Sequence, residues 1–219
     1  MTERLVSAVV HGRYLVEPDG DERVRRWLVG FHGYGENAEK HLDELRRIPV
    51  AGWRLTGVQA LHPFYNQKTN DVIASWMTRL DREHAIADNV AYVAAVVEDI
   101  RKAHGPIGRL VFAGFSQGAA MAYRAAAHAG ESCHGVIALA GDIPPELKTP
   151  ASRFPPVLIA RGARDTWYTD DVMARDVEFL ADRGVPVETM TFDGGHEWSD
   201  AFREIAARFL DRVAAGGHD

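Results

Sequence analysis

The sequence predicts an α/β fold with a mainly parallel central sheet, helices on both faces and no large lid domain. Apolar segments of strand length alternate with helical segments along most of the 219 residues, which is the pattern of βαβ units. Both faces of such a sheet are covered, so its strands are mostly apolar. Hydrophobic residues make up 46% of the chain and charged residues 26%, an ordinary globular balance. Residues 1–219 contain no repeat, low-complexity segment or linker and are predicted to form one domain.

The first third of the chain is predicted to contain three strands and one helix. A valine-rich strand over Leu5–Val16 and a second strand over Val24–Phe31 are expected to pair across the turn signal Glu17-Pro18-Asp19-Gly20. The segment Asn37–Arg47 predicts a helix that ends before a proline. The apolar run Leu55–Ala60 predicts a short buried strand.

The segment Leu61–Arg82 has no clean periodicity and is predicted to be irregular; long loops of this kind are usually functional or mobile. The rest of the chain predicts helix Ala85–Ala103, strand Leu110–Phe115, helix Gly118–Ala129, strands Gly135–Ala140 and Val157–Ala160, helix Asp171–Ala181, strand Val187–Phe192 and helix Asp200–Val213. In parallel sheets, ligands bind beyond the C-terminal ends of the strands. Chemistry is therefore expected where the strands end.

Charge and cysteine content exclude several classes of protein. The chain has 25 basic and 31 acidic residues and a net charge of −6, which gives no electrostatic footprint for nucleic acid or an anionic membrane. No stretch approaches the roughly 18 apolar residues that cross a bilayer, and the N-terminus lacks the apolar core of a signal peptide. We expect a cytoplasmic protein without stable membrane insertion; whether it forms a homodimer is left open. The one cysteine, Cys133, is predicted to be a small core residue.

The strongest chemical signal is Gly114-Phe115-Ser116-Gln117-Gly118. It lies directly between a predicted strand and a predicted helix, which is the setting of a nucleophile elbow. A serine at this sharp turn takes a strained backbone conformation that lifts its hydroxyl out of the surface. The flanking positions must be glycine because a Cβ there would collide with the neighbouring strand and helix. Ser116 is therefore predicted to be a catalytic nucleophile.

A second glycine-containing loop, Phe31-His32-Gly33-Tyr34-Gly35, also follows a predicted strand. An oxyanion hole needs a backbone N–H from this loop together with the N–H of the residue after the nucleophile. The amides of Tyr34 and Gln117 are therefore the predicted donors.

The general base is predicted to be His196, in Asp193-Gly194-Gly195-His196 after the last strand. This is where the base belongs in the chain order Ser, Asp, His. Five other histidines lie in predicted helices or in the tail and are expected at the surface: His41, His84, His104, His128 and His218.

Two carboxylates are candidates for the acid that orients this histidine. Asp165 follows the strand Val157–Ala160, and Asp142 follows the preceding strand, Gly135–Ala140. The loop after the penultimate strand faces the histidine loop, which favours Asp165 and keeps Asp142 as the alternative.

Five aromatic residues are predicted to line an apolar pocket around Ser116: Phe64, Trp76, Trp167, Tyr168 and Trp198. Each could instead fill the core. Their places in loops after strand ends favour the pocket.

Taken together, these segments resemble the carboxylesterase, phospholipase and acyl-protein thioesterase family of small α/β-hydrolase-fold serine hydrolases. The resemblance extends from about Val24 to the last helix and rests on His32-Gly33-Tyr34-Gly35, Gly114-Phe115-Ser116-Gln117-Gly118-Ala119, the Arg161–Asp165 loop and Gly194-Gly195-His196. It implies an α/β-hydrolase fold and a triad of Ser116, Asp165 and His196. It also implies Tyr34 and Gln117 as the oxyanion donors.

The chain departs from the family pattern at three places. Arg161-Gly162 stands where the family often has His-Gly, and Thr166-Trp167-Tyr168 follows the acid in place of a segment ending in Val-Pro. Trp76-Met77-Thr78 stands where the thioesterase members tend to carry Trp-aromatic-Asp. These departures concern substrate choice and leave the triad in place.

The predicted reaction is hydrolysis of a small to medium carboxylic ester or thioester through an acyl-enzyme. His196 takes the Ser116 proton as Ser116 attacks the carbonyl carbon, and Asp165 holds the imidazole in the required tautomer. No cofactor or metal is expected, because no His-Glu-x-x-His or Cys-x-x-Cys pattern is present. The alternatives are a non-catalytic binding module on the same fold, and a lactone or peptide hydrolase on the same triad.

Overall fold

The central feature of the structure is a mostly parallel β-sheet. The computed structural model describes residues 1–2, 4–17 and 24–216. Its strands are β1 (Tyr14–Glu17), β2 (Arg26–Phe31), β3 (Arg54–Val58), β4 (His62–Tyr65), β5 (Val72–Ser75), β6 (Arg109–Phe115), β7 (Gly135–Leu139), β8 (Val157–Gly162) and β9 (Val187–Phe192). Its helices are α1 (Ala38–Arg46), α2 (Arg82–His104), α3 (Gln117–Ala129), α4 (Asp170–Ala181) and α5 (Asp200–Ala215), with 3₁₀ segments at Gly130–Ser132 and Pro145–Leu147.

Among the described residues, seven strands form one sheet in the order β1-β3-β2-β6-β7-β8-β9, and β4 and β5 form a separate hairpin. Within the sheet, β1 is antiparallel to β3 and the other neighbouring pairs are parallel. Parallel neighbours need long crossovers, which here carry helices such as α1, α3 and α4. The predicted fold class, α/β with a mainly parallel sheet, is confirmed.

The central strand β6 shows how both faces of the sheet are covered. Leu110 and Phe112 belong to a core cluster with α2, α3 and α4, whereas Val111 and Ala113 belong to a second cluster with α1 and α5. Successive residues of a strand face opposite sides, so β6 is apolar on both. Within the described part of the chain, no helix is both long enough and apolar enough to span a membrane.

The predicted N-terminal strand pair is wrong in two respects. Only Tyr14–Glu17 is a strand, whereas residues 5–13 are exposed and have no regular structure. This strand pairs with β3 and not with β2. Tyr14 lies opposite Val58 in the pair. The valines of the N-terminal segment favour a strand, but a strand forms only where a neighbour offers backbone partners, and β3 ends at Val58. The predicted turn after Glu17 lies outside the described residues.

The segment predicted to be irregular contains the β4–β5 hairpin. All four residues of β4 are exposed and β5 is buried only over its last two residues, so neither strand alternates between a buried and an exposed face as a half-buried strand does. It docks against the loop after β2 through backbone hydrogen bonds from Gly35 to Ala74 (3.0 Å) and from Ala74 to Glu36 (2.8 Å). The helix α2 begins at Arg82, three residues before the predicted start at Ala85.

The prediction that His41 is a surface residue is wrong. His41 is 1% exposed and lies on the buried face of α1 with Ala38, Leu42 and Leu45. These positions are three or four residues apart, so the helical period places them on one face. Of the other histidines predicted at the surface, His84 and His128 are exposed, His104 is half-buried and His218 lies outside the described residues.

Candidate active site

Ser116 lies at a sharp turn between the C-terminal end of β6 and the N-terminus of α3. Its backbone has φ 55° and ψ −120°, a strained conformation for a residue with a side chain. The Ser116 amide donates to the Leu139 carbonyl at 2.9 Å. A Cβ at Gly114 would lie 2.1 Å from the Gly118 carbonyl oxygen, and a Cβ at Gly118 would lie 2.0 Å from the Phe31 carbonyl oxygen. Close backbone approach therefore requires both glycines.

His196, in the loop between β9 and α5, contacts both Ser116 and Asp165. Its Nε2 is 2.8 Å from Ser116 Oγ, and its Nδ1 is 2.9 Å from Asp165 Oδ2. With the proton on Nδ1, the ring donates to Asp165 and can accept the hydroxyl proton of Ser116. The His196 side chain is 26% exposed, and its ring packs on Phe115 at a centroid distance of 5.0 Å. The structure thus brings the three predicted residues into one hydrogen-bonded chain.

The Asp165 carboxylate is buried and is fixed by its own loop. Its Oδ1 accepts from the amides of Trp167 (2.8 Å) and Tyr168 (3.1 Å), which leaves Oδ2 for His196. The alternative acid, Asp142, is exposed after β7. The carboxylate on His196 is therefore that of Asp165.

Arg161, at the end of β8, closes the loop that carries Asp165. It is 5% exposed, and its Nε donates to the Tyr168 carbonyl at 2.8 Å. Its Nη2 donates to the Asp165 carbonyl at 3.3 Å, and its Nη1 pairs with Asp170 at 2.8 Å. A rigid planar guanidinium can hold several acceptors at once. The departure from His-Gly at this position therefore has a structural role that the sequence did not indicate.

The loop after β2 is shaped by the buried ring of His32. Its Nδ1 donates to the Gly33 carbonyl (2.8 Å), and its Nε2 accepts from the Ala60 amide (3.1 Å). Burial lowers the pKa of His32 below its ordinary value, which keeps the ring neutral and Nε2 able to accept. The Gly33 amide donates to the Glu36 carboxylate at 2.9 Å. Two side chains thus fix the turn from either side.

This arrangement leaves the backbone N–H groups of Tyr34 and Gln117 free to donate hydrogen bonds to a ligand. The neighbouring Gly35 amide is bonded to Ala74. Among the described residues, no protein acceptor is bonded to the amide of Tyr34 or to that of Gln117, the first residue of α3. Unpaired N–H groups at a helix N-terminus favour negative charge.

The side chain of Gln117 joins the elbow to the segment after β5. Its Oε1 accepts from the Trp76 amide at 2.9 Å, and its Nε2 donates to the Met77 carbonyl at 2.9 Å. The Trp76 indole donates to the His32 carbonyl at 2.9 Å, and Asn89 of α2 donates to the Trp76 carbonyl at 2.6 Å. We call the contacts of Gln117 with Trp76 and Met77 the Gln117 clasp. The sequence pattern predicts a role only for the backbone of Gln117 and gives no signal for these side-chain contacts.

Two of the five aromatic residues predicted for the pocket wall are buried instead. Trp76 is 0% exposed and Tyr168 is 2% exposed. Each places its polar group on an internal partner: the Trp76 indole on His32, and the Tyr168 hydroxyl on the Asp176 carboxylate at 3.1 Å. Both therefore support loops of the site from within the core and present no surface to a substrate.

The other three aromatic residues lie nearer the surface. Phe64 packs on the ring of Tyr34 at 5.8 Å between centroids. Trp198 is half-buried and lies 6.1 Å from Phe115. Trp167 is 82% exposed. An apolar wall beside the loop after β2 thus consists of Tyr34 and Phe64.

The geometry fits covalent acyl transfer. A serine hydroxyl within hydrogen-bond reach of an oriented imidazole can lose its proton as it attacks a carbonyl carbon. Two available amides can then hold the oxyanion. Among the described residues, no group of three or more His, Cys, Asp and Glu side chains is placed to hold a metal ion.

A mostly parallel sheet with a serine elbow after its central strand defines the α/β-hydrolase class. Within that class, the chain belongs to the phospholipase/carboxylesterase family, whose family model matches residues 15–214. The match contains every residue of the site described above. The resemblance predicted from the sequence is confirmed. No curated protein sequence matches the chain.

Solved structures of esterases and thioesterases share this fold. Esterase PE8 superposes with a TM-score of 0.76 at 22% identity, over 93% of this chain and 100% of that one. The Bacillus cereus carboxylesterase gives a TM-score of 0.73 at 16% identity, over 92% and 94% of the two chains. The Zea mays acyl-protein thioesterase 2 gives 0.72 at 19% identity, over 93% and 99%. At these identities the likeness concerns the fold.

Proposed function

We propose that the chain is a serine hydrolase that cleaves carboxylic ester bonds through an acyl-enzyme on Ser116. The observation that carries the proposal is the contact chain from Ser116 Oγ to His196 Nε2 (2.8 Å) and from His196 Nδ1 to Asp165 Oδ2 (2.9 Å). A nucleophile within hydrogen-bond reach of an oriented base is the signature of covalent catalysis. Membership of the phospholipase/carboxylesterase family supports the same chemistry.

In the proposed mechanism, His196 takes the proton of Ser116 as Oγ attacks the carbonyl carbon. The amides of Tyr34 and Gln117 hold the oxyanion, and the buried carboxylate of Asp165 stabilises the imidazolium. The imidazolium then protonates the leaving oxygen, and the acyl group remains on Ser116. Water repeats the sequence and releases the acid. A thioester would follow the same steps with sulfur as the leaving atom.

Replacement of the proposed nucleophile tests the function. Ser116→Ala should lower hydrolysis of p-nitrophenyl butyrate by about 10³-fold or more and abolish labelling by a fluorophosphonate. Ser132→Ala, at an exposed serine after α3, is the matched control and should keep both the ester hydrolysis and the labelling. Labelling that persists in Ser116→Ala would refute the assignment. An unlabelled wild-type protein without ester turnover would favour a binding module.

A further inference from the structure

A groove of about 470 Å³ opens beside His196 and has no role in the mechanism above. His196 and Phe115 of the candidate site are among its lining residues. Its walls also contain Trp198 and Ser199 and carry seven charged residues from the loop after β2, from α1 and its C-terminal end, from the loop before α5 and from α5: Glu36, Lys40, Glu44, Arg47, Glu197, Asp200 and Arg203. We call it the charged groove. The apolar pair of Tyr34 and Phe64 is not among its lining residues.

The position of the groove relates it to the leaving group of the substrate. The imidazolium that forms in the first step must protonate the leaving oxygen, so this oxygen has to lie within hydrogen-bond reach of His196 Nε2. The rest of the leaving group then extends away from the acyl carbon on the imidazole side. The charged groove is lined by the same imidazole, and it offers the space there.

Most charges of the groove are paired within the protein, and the Glu197 carboxylate accepts from the Gly195 amide at 2.8 Å. Lys40 pairs with Glu36 at 2.6 Å, and Arg203, which is 4% exposed, pairs with Asp200 at 2.6 Å and with Glu44. A cationic ligand and an anionic ligand would each meet both acidic and basic side chains in the groove. An alkyl group would displace water from these charged side chains, and it cannot replace the hydrogen bonds that the water made to them.

Arg47 extends the network on its exposed side. It lies 3.6 Å from Glu44 and 3.3 Å from Asp200, and its side chain is 55% exposed. Such a wall offers both N–H donors and carboxylate acceptors to a ligand that can use both. An uncharged alcohol with several hydroxyl groups has this property, because each hydroxyl donates and accepts.

We propose that the charged groove binds an alcohol carrying two or more hydroxyl groups, both as the leaving group of the ester and as an acyl acceptor. The proposal rests on the proposed function. In the transfer step, His196 takes the proton of the acceptor hydroxyl as its oxygen bonds to the acyl carbon on Ser116. The bond from that carbon to Ser116 Oγ then breaks, and the proton passes from His196 to Oγ. The products are a new ester and free enzyme.

Competition between two acceptors of similar size tests the proposal. The wild-type protein is given p-nitrophenyl butyrate with equal concentrations of glycerol and 1-propanol, and both butyrate esters are quantified by gas chromatography. Glycerol should capture the acyl group about 10-fold more often, because a site whose polar groups need partners discriminates against an alcohol that lacks hydroxyls. Equal capture, or a preference for 1-propanol, would overturn the proposal.

Variants of the groove separate its role from general reactivity. The double variant Lys40→Leu/Arg47→Leu should reduce the glycerol preference about fivefold or more, since two of its exposed donors are lost. Arg208→Leu, at an exposed arginine of α5 that does not line the groove, should keep the preference. A preference that persists in the double variant would also overturn the proposal.

Mass spectrometry distinguishes failure of the groove proposal from failure of the proposed function. A quenched reaction should contain the protein with a butyryl group on Ser116. If this adduct forms but glycerol is not preferred, the charged groove proposal alone is wrong. If no adduct forms, the proposed function itself fails, and the groove proposal fails with it.

Discussion

The acceptor Asp165 Oδ2, 2.9 Å from His196 Nδ1, favours the imidazole tautomer with its proton on Nδ1. In Asp165→Asn, the Oδ1 position can still accept from the amides of Trp167 and Tyr168. The new amide nitrogen then faces Nδ1 as a donor and stabilises the wrong tautomer. We expect kcat for p-nitrophenyl butyrate to fall about 10²- to 10⁴-fold with little change in KM.

The matched control is Asp142→Asn, since Asp142 is exposed and lies in the adjacent loop. Its kcat should remain close to that of the wild type. A larger loss in Asp142→Asn than in Asp165→Asn would show that the acid is misassigned.

His41 is buried beneath α1, where burial lowers its pKa to about 3. A Cβ at Gly30 would lie 2.5 Å from the His41 ring, so β2 leaves space for the imidazole by having glycine there. The folded protein keeps this ring neutral, while the unfolded chain takes up a proton near the ordinary value of about 6.5. The stabilisation is therefore complete above pH 6.5 and is lost as the pH falls towards 3.

The difference between the pKa values of His41 in the folded and unfolded states predicts that this residue makes the free energy of unfolding depend on pH. As the pH falls from 6.5 to 4.5, protonation of His41 in the unfolded chain should lower the free energy of unfolding by about 1 kcal/mol per pH unit. The free energy of His41→Leu, measured by urea denaturation, should fall less steeply over this range than that of the wild type. His128→Leu, at an exposed helical position, should follow the wild-type slope. Parallel curves for the wild type and His41→Leu would contradict the prediction.

At the scale of elements, the Gln117 clasp connects three segments that sequence places far apart. It joins the start of α3 to Trp76, whose indole in turn holds the His32 carbonyl in the loop after β2. Gln117→Leu keeps the backbone N–H of residue 117 and removes both side-chain hydrogen bonds of the clasp. The Tyr34 amide, two residues after His32, should then be less well oriented.

We expect kcat of Gln117→Leu to fall about 10-fold with little change in KM, less than the 10²- to 10³-fold that follows complete loss of an oxyanion donor. Gln67→Leu, at an exposed position in the hairpin turn, is the control and should keep the wild-type kcat. A rise in KM at constant kcat would mean that the clasp shapes substrate binding and does not orient the Tyr34 amide.

At the scale of elements, β6, β7 and β8 were predicted to within two residues of their bounds, and both bounds of the partly exposed edge strand β9 were predicted correctly. β6 and β8 are mostly apolar and buried along nearly their whole length because both faces of the sheet are covered. The strand predicted over Leu5–Val16 failed because strand propensity does not specify a partner. His41 could have been placed correctly, since it continues the spacing of Ala38, Leu42 and Leu45 on α1.

At the scale of the whole molecule, topology made the site predictable over long sequence distances. The loops after β2, β6, β8 and β9 all leave the same edge of the parallel sheet, so Ser116, Asp165 and His196 could be expected together. The directions of aromatic side chains in loops follow no period. Trp76 and Tyr168 therefore turned inward without any signal in the sequence.

The β4–β5 hairpin carries much of the exposed apolar surface near the site, and it is not built to move as a lid. Phe64, Tyr65 and Val72 are 37%, 65% and 51% exposed. Opening of the hairpin would break the backbone hydrogen bonds from Gly35 to Ala74 and from Ala74 to Glu36, and it would strain the Gln117 clasp. The His196 side chain is already 26% exposed, so a substrate can reach it without such a movement.

This open site predicts hydrolysis without interfacial activation and a preference for short to medium acyl chains. Each added methylene should improve transition-state binding by up to ~0.8 kcal/mol while it contacts the apolar wall of Tyr34 and Phe64. The gain should stop once this short wall is covered. The measurement is kcat/KM for p-nitrophenyl esters from acetate to palmitate, below and above the concentration at which each substrate aggregates. We expect a maximum before the longest chains and no jump at aggregation. A maximum at palmitate, or a sharp rise when an interface forms, would mean that the hairpin opens on lipid after all.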